Sequence, residues 1–160
     1  MGWRQHWCWS AVSTWRAAGD SPDGAAVLTL LKGSTAGNKM AIIANTLIAV
    51  TGLLHVGFLV LEMFLWTGPR GRAVFRMTPE QAETTRVLAA NQGLYNGFLA
   101  AGLFWSLIQS EPSFAFELKV FFLVCVILAA IYGAWSVKPR ILLIQGGSAI
   151  AALVFLLLAF

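Results

Sequence analysis

Four apolar runs, each long enough to cross a bilayer as a helix, dominate the chain; they cover about 41–65, 87–108, 114–135 and 141–160. A hydrocarbon core about 30 Å thick takes about 20 residues of helix. Inside lipid no backbone N–H or C=O can stay unpaired, and the runs lack the alternating pattern of barrel strands, so each is predicted to be a helix. The expected fold is all-α, a four-helix transmembrane bundle. Short connections near 110–113 and 137–140 make its sequential helices antiparallel. Composition agrees: 58% of residues are hydrophobic and 11% charged, whereas a water-facing domain carries about 25% charge. An ordinary soluble domain is thereby excluded, and 160 residues leave no room for a second independently cored domain. The net charge of +4 falls in short segments between the runs, as topology signals do, and forms no nucleic-acid face.

Residues 1–39 differ in kind. They are rich in Gly, Ser and Thr around Asp20-Ser21-Pro22-Asp23-Gly24 and hold Trp3, Trp7, Trp9 and Trp15. The apolar stretch Ala25–Leu31 has no basic cluster before it, so the pattern of a signal peptide is not met. This segment reads as a disordered or weakly ordered tail outside the membrane domain of residues 40–160. Met40 stands where translation would begin if the tail were an extension. Cys8 in the tail and Cys125 in an apolar run outline no disulfide framework.

The first connection, 67–86, is the longest. Gly68-Pro69-Arg70-Gly71 breaks the first helix, and Thr78-Pro79-Glu80-Gln81 has the spacing of a capping box opening the second. Arg70, Arg72, Arg76 and Arg86 lie in this connection and Lys138 and Arg140 in the third, against Lys119, Lys32 and Lys39 on the other side. Basic residues in short loops mark the cytoplasmic face. The loops 67–86 and 136–140 are therefore expected in the cytoplasm and both termini outside.

Ionisable groups inside a membrane are costly and are functional candidates by default. His55 and Glu62 are seven residues apart, so they share one face of the first helix, about 10 Å apart along it, with Thr51 and Gly52 close to the same stripe. A structural role is the competing reading: a neutral histidine donating to a helix carbonyl or to an Asn or Gln, and a carboxylate that is either paired with Arg70 or Arg72 or serves as an interhelical hydrogen-bonding strut. The second helix opens with Asn91-Gln92-Gly93-Leu94-Tyr95-Asn96-Gly97, in which Gln92 and Asn96 are one turn apart and Gly93, Gly97 and Ala101 form a ridge for close helix approach. With antiparallel order, Glu62, Asn91, Gln92, Asn96, Tyr132, Gln145 and Ser148 all fall in one leaflet. The expectation is a polar pocket lined by His55, Glu62, Asn91, Gln92, Tyr95, Asn96, Tyr132 and Gln145. Arg70 and Arg72 above it are placed to contact an anion or lipid headgroup. One histidine inside the bundle is too few for paired haem ligation or a histidine-rich metal site within one chain, and no phosphate loop, catalytic triad spacing or CxxC occurs. Neither cofactor nor metal is expected.

Two stretches carry a resemblance: Glu62-Met63-Phe64-Leu65-Trp66-Thr67-Gly68-Pro69-Arg70-Gly71-Arg72 through Phe75, and Leu88-Ala89-Ala90-Asn91-Gln92-Gly93-Leu94-Tyr95-Asn96-Gly97-Phe98-Leu99-Ala100. Ile131-Tyr132-Gly133-Ala134 and Ile144-Gln145-Gly146 extend it. From about Met40 to Phe160 the chain resembles the small bacterial integral membrane proteins of domain-of-unknown-function family 1304. The resemblance implies a four-helix protein of the bacterial inner membrane and brings no established reaction. The label "epimerase" attached to some members finds no sugar-nucleotide cofactor motif here. The leading expectation is a protein that binds or conducts a small polar or amphiphilic ligand, with the lipid bilayer and a second copy of the chain as partners. Against it stand a membrane enzyme on a lipid-borne substrate, with Glu62 as acid or base and His55 as its partner, and a structural or regulatory subunit of a membrane complex.

Overall fold

The computed structural model describes residues 24–136 and 142–159. Helix α1 is Gly24–Met63, α2 Pro69–Phe75, α3 Pro79–Ile108 and α4 Pro112–Ser136; a π-helical segment, Leu142–Gly146, leads into α5, Gly147–Leu158. The described residues are all-helical, with no strand. The chain divides into two units, Met1–Lys39 and Met40–Phe160. In the first, residues 24–39 are helical, where the sequence reading expected a weakly ordered tail. The correction has a local cause: Ala25, Ala26, Leu28, Leu30 and Leu31 are strong helix formers and outweigh the scattered Gly, Ser and Thr. The rest of that tail, the basic connection 137–140 with Lys138 and Arg140, and their predicted sidedness lie outside the described residues. All further description concerns the second unit.

Punctuation in the sequence sets the helix ends. Pro69 occupies the first turn of α2 after Gly68. At Thr78 the capping box is complete: the Gln81 N–H donates to Thr78 Oγ1 at 3.2 Å and the Thr78 N–H to Gln81 Oε1 at 3.0 Å. From there α3 runs unbroken for 30 residues. Glu111 caps α4, its carboxylate accepting the N–H groups of Phe114 at 2.6 Å and Ser113 at 3.1 Å. These two bonds hold the Glu111 carboxyl below the usual carboxylate range, Phe114 contributing most. A carboxyl lowered by folding stabilises above its ordinary pKa and loses that contribution as pH falls through the lowered value. Glu111→Gln is thus expected to melt below wild type at neutral pH, with the gap closing in acid. Melting curves across that pH range check it, and a gap that does not change with pH refutes the assignment.

The fourth predicted run departs from one continuous α-helix. Gly146 and Gly147 adjoin there, and paired glycines weaken α-helical geometry, so residues 142–146 take the wider i→i+5 turn before α5 begins.

Thr35–Met63 of α1 and the whole of α4 are long and apolar enough to cross a membrane. In α3 length suffices, but Asn91, Gln92 and Asn96 with the charged first turns lower the hydropathy; α5 is apolar but has 12 residues. Two of the four expected spans therefore meet the test of length and apolarity, and the other two miss it for different reasons.

Helices α1 and α3 are antiparallel, because Gly52 meets Phe104, Leu59 meets Gly97 and Glu62 meets Asn96 and Gly93, in opposite order along the two. In the same sense Gly102 faces Phe122 and Trp105 faces Phe114 across α3 and α4. Ala44, Ile48, Leu103, Leu123, Val126, Ala149, Ala152 and Leu156 draw α1, α3, α4 and α5 into one core. Alanines fill much of the interior beside Ile48, Leu103, Leu118, Leu123, Val126 and Leu156, whereas Ile42, Leu53, Phe98, Ile108, Phe121, Leu128 and Leu157 face outward. In the most apolar windows of α1 and α4, 28% and 22% of the residues are buried. A core helix of a soluble protein would show the opposite.

Candidate functional site

The polar stripe of α1 faces inward. Thr51, His55 and Glu62 are all at most 4% exposed, on a helix whose other faces carry large exposed apolar side chains. The Thr51 hydroxyl lies 2.8 Å from the Leu47 carbonyl and 2.9 Å from Ser148 Oγ of α5. One hydroxyl proton serves one acceptor, so Thr51 satisfies one of these while the Ser148 hydroxyl completes the set. His55 Nδ1 lies 2.8 Å from the Thr51 carbonyl oxygen. A carbonyl only accepts, which places a proton on Nδ1. The ring also packs edge-on against Phe58 at 6.1 Å.

Two turns further along, the Asn96 side chain donates from Nδ2 to Glu62 Oε2 at 2.7 Å, with both residues buried. The backbones of α1 and α3 come close because of Gly93: a Cβ there would lie 3.1 Å from Met63 N, 3.1 Å from Glu62 Cβ and 3.2 Å from the Leu59 carbonyl oxygen. The glycine ridge thus works within the chain, Gly93 and Gly97 both against α1. Among the described residues the one ion pair is Arg86 with Glu83 at 3.2 Å, so none of their cations pairs with Glu62. The expected alternative partners, Arg70 and Arg72, do not reach it.

Other predicted residues are not drawn into this cluster. Asn91, Gln92 and Tyr95 are exposed on α3, Tyr132 is exposed on α4 beside Trp135, and Gln145 is half-buried in the π-helical segment. A groove of about 330 Å³ runs along α1, lined by Val50, Leu53, Leu54, Gly57, Phe58 and Leu61, all apolar and none in the polar stripe. Thr51 and Ser148, absent from the expected lining, are the side chains that tie His55 to α5. Their signal was available in the sequence, since Thr51 lies one turn before His55, but a lone Thr or Ser in an apolar helix usually bonds its own backbone. No three His, Cys, Asp or Glu side chains gather as metal ligands among the described residues.

The loop after α1 is held firmly. Trp66 Nε1 donates to Thr85 Oγ1 of α3 at 3.0 Å and its ring packs against Phe75 at 4.6 Å, tilted by 48°, while Gly71 lies directly on the Leu65–Trp66 backbone. Arg70 is exposed; Arg72 is partly buried, and its Nε is buried without a hydrogen-bond partner.

The family described as "Protein of unknown function (DUF1304)" matches residues 49–157. The uncharacterised protein YpaA of Lactococcus lactis subsp. lactis (strain IL1403) is 34% identical over 117 residues, which cover 72% of this chain and 97% of that protein. No solved structure matches the chain. On the extent of the family match and the similarity to this relative, the chain belongs to the DUF1304 family of proteins of unknown function.

Proposed function

We propose that the chain is a multi-pass protein of the bacterial inner membrane, a four-helix bundle that binds a small polar or amphiphilic ligand at Glu62, Asn96 and His55. The outward-facing apolar side chains of α1 and α4 support the membrane setting, because a soluble monomer rarely exposes contiguous apolar surface on this scale. In this reading α3 and α5 complete the span count. Helix α3 hides its buried amide against α1, and α5 gains length from the π-helical segment before it.

One observation carries the ligand reading: a buried carboxyl on a helix of the bundle has a neutral amide as its partner and, among the described residues, no cation. A carboxyl in that setting has acceptor capacity left over, and a ligand bringing an N–H, O–H or positive charge would complete it. The enzyme reading is weaker. His55 and Glu62 are seven residues, about 10 Å, apart along one helix, too far for direct proton transfer, and His55 Nδ1 is occupied by the Thr51 carbonyl.

Glu62→Gln keeps the shape and the hydrogen bond to Asn96 while removing the charge. Native mass spectrometry from mild detergent is expected to find wild type carrying a small molecule at fixed stoichiometry and the variant having lost most of it. Equal occupancy in the two, or none in either, refutes the proposal.

A further inference from the structure

We propose that the loop carrying α2 is a binding site for a phosphate-bearing anion, the headgroup of an anionic phospholipid or a free phosphate, held by Arg72 and Arg76 with Arg70 at its rim. The lipid source rests on the membrane reading above; the phosphate chemistry does not.

Two independent observations point to a ligand. The first is the Arg72 guanidinium, whose Nε is buried with no hydrogen-bond partner. A charged donor left without an acceptor is among the costlier defects a fold carries. Turned outward from its half-buried position, the guanidinium would offer Nε–H and an Nη–H as a fork that matches two oxygens of a phosphate. The exposed Glu80 carboxyl is held low chiefly by its own backbone N–H and by Thr78, with the Arg72 charge the smallest contributor, and the two form no ion pair.

The second is Arg76. It ends α2 in the left-handed conformation, φ 55 and ψ 49, and among the described residues it is the one non-glycine with positive φ. Helices commonly end on such a residue, but glycine takes the conformation at least cost, with asparagine next. An arginine there gives up stability that glycine would keep, and it leaves an exposed cationic residue at the end of α2. The Arg76 N–H donates to the Arg72 carbonyl, which joins the two residues in one turn.

The scaffold is preformed. Gly71 sits against the Leu65 and Trp66 backbone, and Trp66 is fixed by Thr85 and Phe75, so the turn does not have to be ordered by the ligand. Phe64 and Val74, 69% and 58% exposed, flank the arginines with apolar surface, an arrangement that suits the boundary between headgroups and acyl chains.

The test uses the full chain in nanodiscs and four proteins: wild type, Arg76→Gly, Arg72→Lys, and Arg86→Gln as a control for charge alone. Native mass spectrometry counts phosphatidylglycerol against phosphatidylcholine retained from an equimolar mixture, and thermal unfolding is followed in phosphatidylcholine with and without millimolar inorganic phosphate. Wild type is expected to retain phosphatidylglycerol about tenfold over phosphatidylcholine, the effect of one charge-assisted hydrogen bond. Arg76→Gly should lose that preference while melting higher than wild type, Arg72→Lys should lose most of it, and Arg86→Gln should keep it. Where no lipid preference exists but phosphate raises the wild-type Tm and not that of Arg76→Gly, the free anion is the ligand and the site stands. The proposal is overturned if neither lipid nor phosphate discriminates wild type from Arg76→Gly, if Arg86→Gln loses as much as Arg76→Gly, or if Arg76→Gly melts lower. A failure of the membrane reading shows separately, as a chain that stays monodisperse without detergent or lipid.

Discussion

Gly93→Leu is expected to separate α1 from α3 and to abolish the folded monomer in mild detergent. A Cβ at this position meets Met63 N and the Leu59 carbonyl oxygen at 3.1 and 3.2 Å, and both belong to the backbone of a continuous helix, with no rotamer to relieve the contact. Overpacking in a dense interior costs about 1–3 kcal/mol. Alanine should fall near the lower end and leucine at or beyond the upper. Asn96 lies three residues away on the same face, so the shift also breaks its bond to Glu62. The matched control is Gly57→Ala, where nothing lies within 4 Å. Relieved of glycine's backbone entropy, that variant should be unchanged or up to about 1 kcal/mol more stable. Unfolding followed by helical circular dichroism measures all three. If Gly93→Leu melts as wild type does, the close approach of the two helices is wrong.

The second large effect lies in the pair that this approach creates. Asn96→Ala should cost more than Glu62→Gln, because it leaves a buried carboxyl without its donor, whereas the glutamine still accepts from the Asn96 amide. A double-mutant cycle of Glu62→Ala and Asn96→Ala should give a coupling near the top of the range for membrane interiors. Such couplings average about 0.6 and reach about 1.7 kcal/mol. The double variant, with no polar group stranded, should be more stable than the worse single one. Additive losses would mean that the two side chains touch without stabilising each other, and the polar centre of α1 and α3 would have to be reassigned.

Much of this was legible from residue order. Thr78 through Gln81 encode their own capping box, Gly68-Pro69 ends one helix and starts the next, and the seven-residue spacing of His55 and Glu62 puts both on the buried face. Helical phase explains what was harder to read. The buried stripe of α3 runs through Ala89, Gly93, Asn96, Ala100 and Leu103. At 100° per residue its centre lies roughly 60° round the helix from Gln92. Gln92 and Asn96 are one turn apart, yet Asn96 falls inside the stripe and Gln92 beyond its edge. The sequence weights amides by their polarity, and here the alanines and glycines around them decide which amide turns inward. Tyr132 shows the same limit on α4, where Leu123, Val126 and Ala130 face the interior and the tyrosine lies outside that stripe. The π-helical turn before α5 depends on two adjacent glycines in tertiary context, a signal equally compatible with a weak α-helix.

The alanines of the interior set which changes the fold can absorb. In most globular proteins the large apolar residues are the irreplaceable ones and the alanines are filler. Here Ala44, Ala130, Ala149 and Ala152 have no exposed surface at all, while Ile108 and Trp135 are more than 80% exposed. What defines the shape is therefore missing volume at a few points, and the bulky exterior has only to remain oily. A tolerance map of this chain would run against the familiar one at these points, rigid at its buried alanines and permissive at Ile42 and Ile108, with Ile48 the isoleucine that stays fixed in the core.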